Sequence, residues 1–172
     1  MISPSPTLDF CMQSVILQWS DVVWGVENGA FTWKDVRTFA LHRMTDPRSN
    51  TFDIENSIAS LNKNEASEMM DLARAAASSG MMVADGQEQE KWQFLLLKWV
   101  YENRNLFSYP FGVVDELYAE FGYPESVESF VAFLPPKDGW EPLKHTATEN
   151  ENRLLKNWRV YIESSPFLLQ NK

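Results

Sequence analysis

The sequence contains one cysteine, Cys11, and two histidines, His42 and His145, among 172 residues. A single cysteine excludes an internal disulfide and a cysteine metal cluster. Neither histidine has a histidine or cysteine three or four residues away, so no helical metal-ligand pair is present. Because Cys11 also lacks a cationic neighbour that would lower the pKa of its thiol, we expect a small buried hydrophobic side chain and not a nucleophile.

Motifs that identify common enzyme classes are missing as well. The chain has no Gly-x-Gly-x-x-Gly or Walker-type loop, no Gly-x-Ser-x-Gly elbow and no Glu-x-x-His pair for a di-iron centre. We therefore expect a protein that is not an enzyme, without catalytic residues, a cofactor or a metal site. The enzymatic alternative is a carboxylate–metal site, for which Asp115, Glu116 and Glu120 share one predicted helix face.

Basic residues are scarce relative to acidic ones. The chain has 15 Lys and Arg against 24 Asp and Glu, which gives a formal net charge of −9 and a pI near 4.7. Binding to DNA or RNA depends on basic side chains that neutralise phosphates, so this balance argues against a nucleic-acid partner. Residues 87–134 are densest in negative charge, with eight acidic and three basic residues. An acidic surface of this kind suits a basic protein partner.

Long hydrophobic runs are absent too. A transmembrane helix needs about 20 consecutive apolar residues, and the apolar segments here are shorter and interrupted by charges. The N-terminal region has no basic segment followed by an apolar run and a small-residue cleavage site, so no secretory signal is predicted. We expect a cytoplasmic protein that does not enter the membrane.

What the sequence does contain is a strongly apolar segment near its middle. Residues 91–102 are apolar almost all the way round a helical wheel, and Lys91, Lys98 and Glu102 form one narrow polar stripe. A soluble helix with so little polar surface must be enclosed by other helices, and each fully buried large side chain contributes about 1.5–3 kcal/mol. We predict a central core helix over about residues 88–104.

Other segments carry the signals that begin and end helices. Ser20 and Asn64 are predicted caps, and Thr32 with Asp35 predicts a capping box. Pro110 suits the first position of a helix, and Thr148 is the predicted cap of the last one. A further helix is expected to start at Pro124 and to face the core with Val127, Phe130, Val131 and Leu134.

These patterns predict an all-α fold. Strand signals are nearly absent, apart from the short apolar stretch Met81–Val83, which has no obvious pairing partner nearby. We predict one domain over residues 1–172, a bundle of about seven or eight helices around the central helix. Residues 1–7, rich in Ser and Pro, are expected to be a loose N-terminal arm.

The candidate partner-binding residues are acids on predicted outer helix faces and one tryptophan in a loop. Trp140 lies between Gly139 and Pro142, where it is either a loop anchor packed on the bundle or an exposed interface anchor. The acids have a second interpretation, a solvated face that keeps the protein soluble. The full set is Asp115, Glu116, Glu120, Glu125, Glu128 and Trp140.

Three segments, residues 20–29, 91–104 and 123–131, resemble a bacterial family of unknown function of about this size. The resemblance spans most of the chain, from about Leu17 to Ser164. Small acidic families of this kind are often encoded beside polymorphic or contact-dependent toxins and are regarded as immunity proteins. The resemblance therefore implies association with another protein and supplies no catalytic residue.

These expectations favour a cytoplasmic immunity protein that occludes a basic toxin domain with an acidic helical surface, since complementary charge speeds encounter. The alternative within the same class is a helical scaffold or regulatory subunit that binds some other protein. The less favoured alternative is the carboxylate–metal enzyme.

Overall fold

The computed structural model describes residues 5–46, 50–79 and 87–169. Within those ranges there are eight α-helices and four short 3₁₀ helices and no strand, so the all-α prediction is confirmed. The α-helices are α1 Leu8–Ser14, α2 Trp19–Glu27, α3 Trp33–Arg43, α4 Phe52–Ser60, α5 Ala66–Ser79, α6 Gln87–Glu102, α7 Pro110–Glu120 and α8 Ala147–Ser164. The stretch Met81–Val83 and residues 1–4 of the expected arm lie outside the described residues. At the end of that arm, Pro6 is buried and the Thr7 hydroxyl accepts the backbone N–H of Phe10 to cap α1.

Two of the predicted helix starts are confirmed. Thr32 and Asp35 form the expected capping box of α3, in which the Thr32 N–H donates to Asp35 Oδ2 over 2.8 Å. Pro110 occupies the first turn of α7, where its missing N–H leaves no intrahelical hydrogen bond unmade.

Three other predicted caps are wrong, and each lies two residues too late. Gln18 caps α2 and Thr146 caps α8, where Ser20 and Thr148 were expected. Asn62 caps the 3₁₀ helix Lys63–Glu65 that leads into α5, whereas Asn64 was expected to cap α5 directly. In every case an acid three residues after the true cap accepts the backbone N–H of that cap and completes a capping box. The reciprocal hydrogen bonds therefore decide the start, and they outweigh a lone cap-forming side chain.

The predicted helix after Pro124 is a 3₁₀ helix, Glu125–Phe130, and it does not reach Leu134. Val127 and Phe130 are both buried and lie three residues apart, which is the repeat of a 3₁₀ helix. Val131 is also buried but already has extended backbone angles.

The apolar helix expected at about 88–104 is α6, in which Trp92, residues 94–97 and Val100 have no exposed surface. The chain divides within α6 into two compact units, Met1–Trp92 and Gln93–Lys172. These are called the N-terminal and C-terminal units below. The expected single-domain organisation stays a prediction.

In the N-terminal unit, the core is built around Trp92. Its ring stacks on Trp24 at 5.2 Å and meets the edge of Phe31 at 5.1 Å, and its Nε1–H donates to the Asp21 carbonyl over 2.8 Å. Gly25 permits this packing, because a Cβ there would lie 2.5 Å from Cζ2 of Trp92 and 2.7 Å from Cδ2 of Phe31.

Three charged residues are also buried in the N-terminal unit. Lys91 Nζ lies 2.6 Å from Asp21 Oδ2, and the two side chains are 8% and 1% exposed. Glu55 has no exposed surface and accepts hydrogen bonds from Thr51 Oγ1 and Trp19 Nε1. The N-terminal end of the polar stripe of α6 is therefore buried, because Lys91 is enclosed together with its carboxylate partner Asp21.

In the C-terminal unit, the core is built around Trp158 of α8. Its ring is parallel to that of Phe130 at 5.7 Å, and Tyr101 and Phe111 approach it at 5.3 and 6.0 Å. The predicted core positions Trp92, Trp99 and Trp158 are all buried. The aromatic cluster fixes the 3₁₀ helix Glu125–Phe130 against α8.

Candidate functional site

The first three predicted acids lie on α7, whose buried face is Phe111, Val114, Leu117 and Tyr118. Glu116 and Glu120 are exposed, whereas Asp115 is half-buried. Asp115 Oδ1 accepts the backbone N–H of Ala132 over 3.2 Å, and burial raises the pKa of its carboxyl. Asp115 therefore holds the chain that follows the 3₁₀ helix, and its predicted role toward a partner stays a prediction.

The next two predicted acids lie on the 3₁₀ helix. Glu125 is exposed, and Glu128 is half-buried between a lysine and a tyrosine. Lys137 Nζ donates to Glu128 Oε2, and the Tyr118 O–H donates to Glu128 Oε1 over 3.3 Å. The hydrogen bond from Lys137 is the main cause that lowers the pKa of Glu128. The carboxylate of Glu128 is thus held in its ionised form.

A pair of exposed aromatic rings adjoins these acids. Tyr123 and Phe133 are each 62% exposed, and they contact the buried Tyr118 ring at 5.2 and 6.1 Å. Tyr123 follows Gly122 in the turn after α7 and has a φ of 62°, in the left-handed region that costs a non-glycine residue about 1–2 kcal/mol. The turn therefore presents a large ring to solvent at a conformational cost.

Trp140 lies in the loop before α8 and is half-buried. Its ring stacks on His145 at 3.7 Å, and its Nε1–H donates to Asn150 Oδ1 over 2.7 Å. The Arg153 guanidinium lies 5.7 Å from the ring centre. This is the geometry of a loop anchor, one of the two interpretations of Trp140, and the interface role stays a prediction.

A cavity of about 400 Å³ opens between the 3₁₀ helix, the segment 131–138 and α8. Its apolar lining includes Val131, Leu134 and Leu154, and its polar lining includes Ser129 and Asn157. Five charged residues line it as well: Glu125, Glu128, Lys137, Asp138 and Arg153. The structure thus brings two of the predicted acids, Glu125 and Glu128, to one concave site.

The charges around this cavity are mostly arranged in pairs. Arg153 Nη2 donates to Asp138 Oδ2 over 2.7 Å, and this bond is the main cause that lowers the pKa of Asp138. The pKa of Lys137 is raised, first by its hydrogen bond with Glu128 and also by the negative charge of Glu125. Among the residues that the structure describes, Glu125 makes no direct hydrogen bond or ion pair.

The described residues also show where the one cysteine lies and how the potential metal ligands are distributed. Cys11 is fully buried, as expected, and burial raises the pKa of its thiol to about 12. In the described ranges, no group of three or more His, Cys, Asp or Glu side chains is placed to hold a metal ion. Within the same ranges, no helix has the length and apolar character needed to span a bilayer.

Comparison with known protein families gives a match over most of the chain. The sequence profile of a family described as "Uncharacterized protein conserved in bacteria (DUF2247)" matches residues 8–165. The chain belongs to this family. No curated protein and no solved structure matches the chain. Membership in DUF2247 agrees with the bacterial family of unknown function that the sequence resembles, and it assigns no activity.

Sequence reasoning missed several residues at the site of this DUF2247 member. Tyr123 and Phe133 were not selected, although Gly122 and Pro124 on either side of Tyr123 mark a turn, where a ring tends to be exposed. Lys137 and Arg153 carried no local signal, because their partners Glu128 and Asp138 are nine and fifteen residues away.

Proposed function

We propose that this protein binds and inhibits a basic protein domain, in the manner of an immunity protein, through its C-terminal unit. The binding region is the acidic–aromatic surface, which comprises Glu116, Glu120, Tyr123, Glu125 and Phe133. Its mechanism is occlusion, in which a preformed surface covers the active site of the partner and changes no bond.

One observation carries the proposal: two exposed aromatic rings, Tyr123 and Phe133, contact the same buried tyrosine in a segment without basic residues. Residues 105–136 contain five acidic side chains and no Lys or Arg. Tyr123 and Phe133 expose 62% of their surface in this segment. Aromatic side chains are enriched at the energetic centres of protein interfaces, and an acidic surrounding speeds encounter with a basic partner.

The backbone of Tyr123 supports the same interpretation. A positive φ at a bulky residue is unfavourable, and such strain is found preferentially at binding and catalytic sites. Tyr118 lies beneath both exposed rings with 5% exposure, so the pair rests on a packed base. Contact with a packed ring restricts the two exposed rings and so reduces the conformational entropy that they lose when a partner covers them.

The test looks for a toxin gene beside this one and, where the encoded domain is basic, measures binding to that domain and inhibition of its activity. Tyr123→Ala is expected to lower the affinity by about 30-fold or more, the range of an interface hot spot of about 2 kcal/mol. Charge reversal at Glu116 and Glu120 is expected to slow association most at low salt. Leu143→Ala is the matched control, because Leu143 is fully exposed elsewhere in the same unit.

Unchanged affinity in both Tyr123→Ala and the charge-reversed variant would contradict the proposed surface. The scaffold alternative uses the same kind of surface but predicts binding without loss of toxin activity, so the inhibition assay separates the two. A genome in which no toxin gene adjoins this one would favour the scaffold.

A further inference from the structure

We propose that the cavity of the C-terminal unit is a pocket for a basic side chain, an arginine or lysine of the partner protein. This inference rests on the proposed function, because it names the group of the partner that the concave part of the site receives. The pocket adjoins the acidic–aromatic surface through Glu125 and through Glu128, which accepts a hydrogen bond from Tyr118.

The lining of the cavity fits a side chain with an apolar stem. Val131, Leu134, Pro135 and Leu154 supply aliphatic surface from two sides. The methylene groups of lysine and arginine bury well against such surface while the charged end remains near polar groups. The volume of about 400 Å³ lies within the range of about 300–1,000 Å³ typical of ligand pockets.

The charges of the lining favour a cation over an anion. Both basic residues are already engaged, Lys137 by Glu128 and Arg153 by Asp138. An incoming anion would have to displace one of these carboxylates. Of the three acids, Glu125 is the one that has no direct ion pair among the described residues, so its carboxylate can receive a positive group.

The interactions of Arg153 keep its guanidinium from pairing with Glu125. Its side chain is only 14% exposed, it donates to Asp138, and its guanidinium lies over the Trp140 ring. Lys137 is 72% exposed and interacts with Glu125 through charge without a direct contact. The carboxylate of Glu125 therefore remains available to a guanidinium from a partner.

The test titrates the full chain with three peptides that differ only in the central side chain: acetyl-Gly-Arg-Gly-amide, its norleucine analogue and its glutamate analogue. Binding is followed by amide chemical shifts of residues 125–138 and 153–157. We expect the arginine peptide to shift these resonances and to bind at least about fivefold more tightly than the norleucine peptide, as one charged hydrogen bond provides. The glutamate peptide should bind most weakly.

Two variants locate the site. Glu125→Gln removes the charge at an exposed position and is expected to abolish the preference for arginine over norleucine. Glu163→Gln is the matched control, since Glu163 is an exposed glutamate of α8 that neither lines the cavity nor belongs to the acidic–aromatic surface, and it should keep the preference. No shift at the cavity with the arginine peptide would overturn the inference, as would equal or tighter binding of the glutamate peptide.

Failure of this inference differs from failure of the proposed function. If Tyr123→Ala weakens toxin binding but the arginine peptide leaves the cavity unchanged, only the pocket is refuted. If the arginine peptide binds with the stated preference but Tyr123→Ala leaves toxin binding intact, the pocket stands and the aromatic surface is refuted.

Discussion

The buried ion pair between Lys91 and Asp21 gives the sharpest prediction about stability. Lys91→Met keeps the aliphatic stem and removes the ammonium group, so Asp21 loses its closest partner at 2.6 Å. Asp21 Oδ2 then retains the backbone N–H of Gln18 at 2.8 Å, and Oδ1 has no hydrogen-bond partner within the described structure. The variant therefore leaves a carboxylate enclosed without a positive charge.

The expected loss is large because both side chains are almost fully enclosed. Removing one partner of a buried ion pair typically costs about 3–5 kcal/mol, and the exposures of 8% and 1% place this pair in that class. The double variant Asp21→Asn/Lys91→Met removes both charges and keeps an oxygen to accept the Gln18 N–H. We expect it to recover most of the loss, because replacing both charges with neutral groups is often close to neutral.

The effect depends on pH with a sign that follows from the pKa of Asp21. Burial raises this pKa and Lys91 opposes the rise, so Lys91→Met raises it further. A raised carboxyl pKa means that the folded state binds the proton more tightly than the unfolded state. The loss of unfolding free energy in Lys91→Met should therefore be largest at pH values above the folded-state pKa of Asp21. It should shrink as the pH falls through that pKa.

Urea unfolding at pH 7 and at pH 5 measures these differences, with tryptophan fluorescence as the probe because Trp92 follows Lys91 in the same core. Lys98→Met is the comparison variant: Lys98 lies one heptad further along the same polar stripe and is also little exposed, at 12%, but its partner Glu102 is 46% exposed and keeps access to water when the ammonium group is removed. A loss below about 1 kcal/mol in Lys91→Met at pH 7, the range of surface pairs, would refute the reasoning.

Three further predictions follow from local geometry. Gly25→Ala should lower the free energy of unfolding by about 1–3 kcal/mol in urea titration, because its Cβ would lie 2.5 Å from the Trp92 ring, and a stabilised variant would contradict this packing. Arg153→Met should raise the pKa of Asp138 toward its ordinary value, since the Arg153 hydrogen bond is the main cause of its depression; carboxyl NMR titration measures the change, and an unmoved pKa would show another cause. Tyr123→Gly should stabilise the fold by about 0.5–1 kcal/mol in thermal unfolding, because glycine adopts a φ of 62° freely, while it weakens partner binding; a destabilised variant would show that the ring contacts outweigh the strain.

Much of the secondary structure follows from short-range patterns. Thr32 and Asp35 predict the start of α3, and Pro110 predicts the start of α7, because capping involves groups no more than three residues apart. The same rule places the caps at Gln18 and Thr146 when the acid three residues later is read together with the cap. The apolar run of α6 likewise fixed its burial, since its hydrophobic surface must be removed from water wherever it lies.

The candidate site was predictable only in part. Glu125 and Glu128 were expected on an outer face, and both are placed at the cavity. Asp115 was expected on the outer face of the preceding helix with Glu116 and Glu120, yet its carboxylate accepts the Ala132 N–H, a contact seventeen residues away that no helical spacing indicates. The partner-binding roles of all six predicted residues stay predictions.

Sequence alone determined the all-α class, the apolar character of α6 and the acidic character of residues 87–134, because each depends on composition or on spacings within one or two helical turns. Tertiary structure decided which charged groups are paired and which are exposed. Asp21 and Lys91 pair although they are seventy residues apart in the sequence. Tyr123 and Phe133 both contact the Tyr118 ring only once the turn after α7 and the 3₁₀ helix have folded. These contacts depend on how segments distant in the sequence pack against each other. The packing energy that favours one arrangement is distributed over many core side chains, so no single segment of the sequence predicts it.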